Sequence, residues 1–346
     1  MTIATALREH LPAVVLAIAV IISLLLTAGQ PAVLNLVILV GIYGLMATSL
    51  GMIYGQAGMM SLCQASFAAL GAYSTAIMTA KWGLDPILGL VAALLLPAAI
   101  AYPFARLIVK LSALALALAT LFLGSTITIM LNQGGDFTGG YLGLGGIPML
   151  SFAATPLKFA VLVWLCVIVS VILYTNLLGT AAGRALNTLR VDAVRSQADG
   201  DRGPHRLSML FAFSASLAGC SGWLYAHYMT YIAPEALSMD ISLTLLLMVL
   251  LGGARHVLGP VLGAFLLTYL NDLLPAEMRG LLYGSAIVVV LIIAPRGVLG
   301  TLDRVWHRHL HKRKKLANSS QENIGTVLPA SATASPPDGK EEGGRS

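Results

Sequence analysis

The sequence predicts an all-α integral membrane protein: a polytopic helical bundle of about eight to ten transmembrane helices, with a re-entrant or broken segment and a cytoplasmic coupling helix. Three observations carry that expectation. Of 346 residues, 57% are apolar and only 10% charged, with a mean hydropathy of +0.83. A soluble domain carries about 25% charged residues, and one of this size could not hide so much apolar surface from water. The apolar residues also fall in runs long enough to cross a bilayer, and the basic residues cluster between alternate runs.

A spanning helix needs roughly 20 mostly apolar residues. Candidates lie near 11–28, 32–54, 65–80, 84–105, 111–131, 156–178, 207–229, 238–252, 257–275 and 281–294. The runs at 65–80, 238–252 and 281–294 are short, which suits tilted, broken or re-entrant elements. Residues 1–29 read as a first span and not as a cleaved signal, because only Arg8 is basic before the apolar run and Leu26–Gly29 makes a poor cleavage site.

Ten spans with a cytoplasmic N-terminus place Arg8, Arg106, Lys110, the Arg184–Arg206 segment, Arg255, Arg296 and the tail inside. Only Lys81, Lys158 and Arg279 fall outside, so 18 of the 21 basic residues are cytoplasmic, the bias of inserted membrane proteins. Both termini are therefore expected in the cytoplasm. The net charge of +6 needs no nucleic acid. The run His307–Lys315 follows the last span directly and suits anionic lipid headgroups. Residues 1–302 thus read as the membrane domain and 303–346 as a basic, then disordered, cytoplasmic tail. Cys63, Cys166 and Cys220 lie far apart in apolar stretches, with neither metal-site nor disulfide spacing.

Four segments interrupt the apolar pattern. Gly55–Phe67 holds two glycines, two glutamines and two serines between spans. Non-helical backbone survives at membrane depth only where protein or a water-filled cavity satisfies its polar groups. The segment reads either as a discontinuous helix lining a path or as an ordinary loop with close Gly/Ala packing. On the first reading, Gln56, Ser61, Gln64 and Ser66 supply the polarity of a substrate pathway. Asn132–Pro148 is a glycine-rich outer loop that lacks GxGxxG and reads as a gate or docking surface. Gly183–Arg206 is a polar inner segment in which Ala185, Leu186, Leu189, Ala193 and Val194 recur at helical spacing. It reads as an amphipathic helix, either a handle for a soluble partner or a helix on the lipid surface. Leu251–Gly263 reads as a tight inner turn, with Pro260 starting the next helix.

Other chemistry is poorly supported. There is no GxxxxGK[ST] phosphate loop and no row of intramembrane carboxylates for a proton relay. Gly219-Cys220-Ser221-Gly222 imitates the motif of an intramembrane serine protease, with His256 in the place of its base. Ser221 falls about 20 Å into its span by helical rise, whereas His256 falls at the inner mouth, and a nucleophile and its base must come within about 3 Å. The chain therefore reads as a transporter and not an enzyme, with no cofactor of its own. A stand-alone secondary transporter or channel is the alternative.

Taken in order, these segments resemble the LivM-type permeases of branched-chain amino acid ABC importers, a family that includes urea and short-amide permeases. The likeness runs from Leu34 to Leu302. It rests on Gly55–Phe67, on Thr138-Gly139-Gly140 through Gly146-Ile147-Pro148, on Gly183-Arg184-Ala185-Leu186, on Tyr225-Ala226-His227-Tyr228 with Pro234-Glu235, on Leu251–Gly253 with Gly259–Gly263, and on Pro295–Gly300. Cys63-Gln64 stand where the family has Gly-His, and Gln197–Gly200 and Asp201-Arg202-Gly203 also depart from its pattern. The resemblance implies a bacterial inner-membrane complex. Its parts are a second, LivH-like permease subunit, two cytoplasmic ATPase subunits that use the ATP, and an extracytoplasmic solute-binding protein. It implies that Arg184, Arg190, Asp192, Arg195 and Gly200 form the ATPase coupling surface.

Overall fold

The computed structural model describes residues 11–27, 29–191, 203–273, 275, 285 and 297–301. Ten helices of eleven residues or more lie among them. Helix α1 spans Leu11–Thr27 and α2 spans Pro31–Ala57. Helix α3 (Gln64–Ala76) continues through a π-helical turn at Ile77–Lys81. There follow α4 (Pro86–Ile108), α5 (Ala113–Gln133), α6 (Pro156–Gly179), α7 (Ala181–Val191) and α8 (Gly203–Met229). Helices α9 (Met239–Gly252) and α10 (Gly259–Leu273) complete the set.

Six of these elements are long and apolar enough to cross a membrane: α2, α4, α5, α6, α8, and α9 together with the 3-10 turn at Pro234–Leu237. Helix α1, α3 with its π turn, and α10 follow the runs expected near 11–28, 65–80 and 257–275. The span expected at 281–294 and the tail from 302 onward lie outside the described residues, apart from Ser285.

The helix ends follow local chemistry. Asp85, Ser112 and Thr155 cap α4, α5 and α6 by accepting from the amides of Ile87, Ala115 and Lys158; each supplies an acceptor to a first-turn N–H. Gly58 stops α2. It takes a left-handed conformation at φ +67° while its N–H bonds the carbonyl of Tyr54, the usual role of glycine after a helix.

Helices α2, α3 and α8 form the centre of the bundle. Phe67, Tyr73, Phe211 and Tyr174 are among its largest fully enclosed side chains, and Phe67 meets Phe211 edge-on at 5.7 Å. Helices α3 and α8 cross very closely: a Cβ on Gly222 would stand 1.9 Å from the carbonyl oxygen of Ala68, and one on Gly71 would stand 2.3 Å from that of Gly219. Small residues let helix backbones approach this way when lipid offers no hydrophobic drive to association. The outer helices turn large apolar side chains outward, including Leu25, Leu26, Leu114 and Met130, as a lipid-facing surface does.

The connections sort into two ends. At one, Lys81 reaches the backbone carbonyl of Asp136, Trp223 donates to the carbonyl of Pro86, and the two-residue strands β1 (Leu144–Gly145) and β2 (Tyr231–Ile232) pair antiparallel. At the other, Arg106 and Tyr102 meet His205, and Gly55 lies against Ala254. These are the loops that the sequence assigns to opposite membrane faces.

Candidate functional site

Within Gly55–Phe67 one helix ends and the next begins. After α2 ends at Ala57, residues 58–63 run without helical structure. Helix α3 then begins deep inside the bundle, not at its surface. Each partner of its first turn gives an independent measure of that depth, counted from the Arg106 end at about 1.5 Å per helical residue. Gln64 bonds Ser49, eight residues or about 12 Å from the end of α2. It also bonds Ser214, eleven residues or about 16 Å into α8. The amide of Ala65 donates to Ser242, about 15 Å from the end of α9. Ser66 donates to the carbonyl of Gly124, about 16 Å into α5. The apolar core of a bilayer is about 30 Å thick, so the first turn of α3 lies near its middle.

Polar groups at that depth must be satisfied by protein. Here four helices do so. The amide of Leu62, in the non-helical stretch, donates to Thr120 at 3.1 Å. Ser61 and Cys63 are in contact at 3.4 Å and both are fully buried.

Hydrogen-bond logic fixes the orientation of Gln64. The Ser49 hydroxyl donates to the carbonyl of Met46, and the Ser214 hydroxyl donates to the carbonyl of Ser49. Their protons are thus committed, and with the Ser214 carbonyl they present three acceptors to one edge of the Gln64 amide. Only the NH₂ can face them. The other atom, Oε1, is buried and has no hydrogen-bond partner among the described residues.

Of the four residues assigned to a pathway by sequence, Ser61, Gln64 and Ser66 come together at the break. Gln56 stands apart, near the Arg106 end, with Nε2 at 3.4 Å from the hydroxyl of Tyr174, which itself donates to the carbonyl of Gly51. All four are buried: Gln56 is 6% exposed and the others 1% or less.

The opposite end of α3 is tied to the glycine-rich loop. His227, near the end of α8, has Nδ1 at 2.7 Å from the carbonyl of Pro148 and Nε2 at 3.4 Å from Thr75 on α3. Tyr73 donates to the carbonyl of Ile232 on β2, which pairs with Leu144 of the loop. The loop is therefore ordered structure clamped onto α3 and α8. Sequence reasoning assigned no role to His227, Thr75, Ser49, Ser214 or Ser242. A histidine closing a long apolar run was a visible signal, but isolated serines in spanning helices read as packing residues.

At the Arg106 end, α7 occupies the first part of the expected coupling helix. Thr180 accepts from the amide of Gly183 and begins it. Leu186 is buried, and a Cβ on Gly183 would stand 2.1 Å from the carbonyl of Leu177, so α7 is wedged under the spans. Arg184 is exposed and bonds the carbonyl of Gly179 at 2.7 Å. Arg190 lies in the helix, but its side chain, and Asp192, Arg195 and Gly200, lie outside the described residues. Ser221, of the protease-like motif, is fully buried and donates to the carbonyl of Ala218 in its own helix at 2.6 Å. Its flanking glycines serve the crossings with α3 and α4.

Comparison with known proteins agrees with this architecture. The family model described as the permease component of branched-chain amino acid transport systems matches residues 32–294. The chain belongs to that family. As a permease of this kind, it is 28% identical to the high-affinity branched-chain amino acid transport system permease protein LivM of Escherichia coli K12, covering 75% of this chain and 68% of that one. The identity and coverage are the same for the Salmonella typhimurium LT2 protein of that name. A probable branched-chain amino acid transport permease LivM of Methanocaldococcus jannaschii is 22% identical over 75% of this chain and 90% of its own length. No solved structure matches at a significant level. The matched span contains both the break before α3 and the loop clamped by His227.

Proposed function

We propose that this permease is one of two membrane-spanning subunits of an ABC importer for branched-chain amino acids or similarly small polar solutes, driven by ATP hydrolysed on separate subunits. The observation that carries the reading is the start of α3 in the middle of the bundle. Non-helical backbone and a half-helix at that depth are tolerated where they border a path. Ser61, Gln64 and Ser66 form the mid-membrane part of that path and Gln56 its inner part. All four are closed off in this conformation and are reached when α3 moves relative to α8.

The Lys81 end faces the periplasm and both termini face the cytoplasm of a bacterial inner membrane, as the basic-residue bias supports. The loop ending at Pro148 then receives the solute-binding protein. Because His227 and Thr75 join that loop to α3, docking outside bears directly on the mid-membrane turn. On the inner face, Arg184, Arg190, Asp192, Arg195 and Gly200 receive the ATPase. The packing of α7 under the spans supports this role, since a push on α7 reaches α2, α6 and α8.

The test is purification in mild detergent through a tag on the C-terminal tail. A second permease-like chain and ATPase subunits are expected to co-purify. Changing Arg190→Glu and Arg195→Glu together is expected to release the ATPases while retaining the second permease. Absence of any ATPase from the wild-type complex in every detergent tried would overturn the reading in favour of a stand-alone secondary transporter or channel.

A further inference from the structure

We propose that Gln64 Oε1 is the acceptor for the amino group of a zwitterionic α-amino acid passing the mid-membrane turn; this rests on the transport reading above. Three observations lead here. Oε1 is a fully buried acceptor without a partner among the described residues, and such an atom costs free energy unless something donates to it. Its direction is imposed, because the committed protons of Ser49 and Ser214 leave only acceptors for the other edge of the amide. Finally, Gln64 is the first residue of a thirteen-residue helix, whose positive end favours a carboxylate. A ligand matching both features carries an N–H donor and a carboxylate together. An α-amino acid does; a carboxylic or keto acid lacks the donor.

The arrangement also explains why a neutral amide suits the position. A carboxylate would face the three acceptors without a proton to give. A lysine would satisfy them but leave no acceptor for the solute. A neutral imidazole, with one donor and one acceptor nitrogen, meets both demands. Methionine matches the length of glutamine and meets neither.

The experiment uses the complete complex with its binding protein in proteoliposomes, with tritiated leucine as probe, and reads uptake per ATP hydrolysed. Gln64→Met is expected to lower that ratio roughly ten-fold or more, the scale of one hydrogen bond to a charged group. Gln64→His is expected to stay within about three-fold of wild type. Wild-type coupling in Gln64→Met would overturn the proposal, leaving Oε1 as a site for water only. Equal loss in both variants would also overturn it, since packing alone would then explain the effect. If Gln64→Met does not assemble, a cryo-EM map of the wild-type complex trapped with leucine decides. Ligand nitrogen within about 3.2 Å of Oε1 supports the assignment, and water or bare space there overturns it. Failure of the transport reading itself looks different: wild-type vesicles would show no ATP-dependent uptake at all.

Discussion

Replacing Gly222 with alanine tests whether the α3–α8 crossing positions the mid-membrane turn. The added Cβ would lie 1.9 Å from the carbonyl oxygen of Ala68, 2.7 Å from its carbonyl carbon and 2.9 Å from the amide of Ala72. Ordinary contact begins at 3.4 Å, so the backbones must separate by about 1.5 Å. These are main-chain atoms and cannot rotate aside. Ala68 lies one turn from Gln64, so the separation carries the Gln64 amide with it. A bond of 2.8 Å to Ser214 would stretch past 4 Å, beyond hydrogen-bonding range. Overpacking costs about 1–3 kcal/mol and the lost bond about 1 kcal/mol, which corresponds to a drop in Tm of roughly 5 °C or more. Cys63 reports the event, since its thiol is fully buried beside the turn. Thermal unfolding followed with a thiol-reactive fluorophore is the assay. Gly29→Ala is the control, because a Cβ there meets nothing within 4 Å. A Gly222→Ala melting curve that overlays those of wild type and the control would refute the reasoning.

Two further perturbations probe the ends of α3. Ser242→Ala leaves the amide of Ala65 unpaired at the start of α3, at a cost of about 1–3 kcal/mol; faster hydrogen exchange over residues 62–67 is expected, and unchanged exchange would contradict the role given to this serine. His227→Ala removes the links to Pro148 and Thr75. The loop then stays attached mainly through the β1–β2 pairing and the Ile147–Thr230 bond, so proteolysis within residues 139–148 is expected to accelerate while the melting of the bundle changes little.

The fold class was legible because a bilayer imposes its own composition, and the polar interruption was legible from Gly58, Ser61 and Gln64, whereas Gly55 and Gln56 fall inside α2. The lengths of the apolar runs gave most helix positions to within a few residues. The run expected at 65–80 became α3 with a π turn, and the short run at 238–252 gained length from the 3-10 turn before it. What was not legible is which distant residues hold the break. Ser49, Ser214, Ser242 and Thr120 come from four helices, and nothing local distinguishes a serine that meets Gln64 from one that bonds its own helix, as Ser221 does. The depth of α3 has the same origin. A loop of six residues can turn at a membrane surface or climb halfway through, and only the tertiary partners decide between them. The segment given to ATPase coupling is described only as far as Val191, so its residues Asp192, Arg195 and Gly200 stand on the sequence pattern and the family likeness.

The account's central claim is that this chain forms a solute path powered by other subunits. The most direct measurement is uptake of tritiated leucine into proteoliposomes in the presence of the solute-binding protein, made once with the chain and every subunit that co-purifies with it and once with the chain alone. The account predicts uptake that requires ATP and the co-purifying ATPases, with none from the chain alone. Accumulation by the chain alone, without ATP, would contradict it.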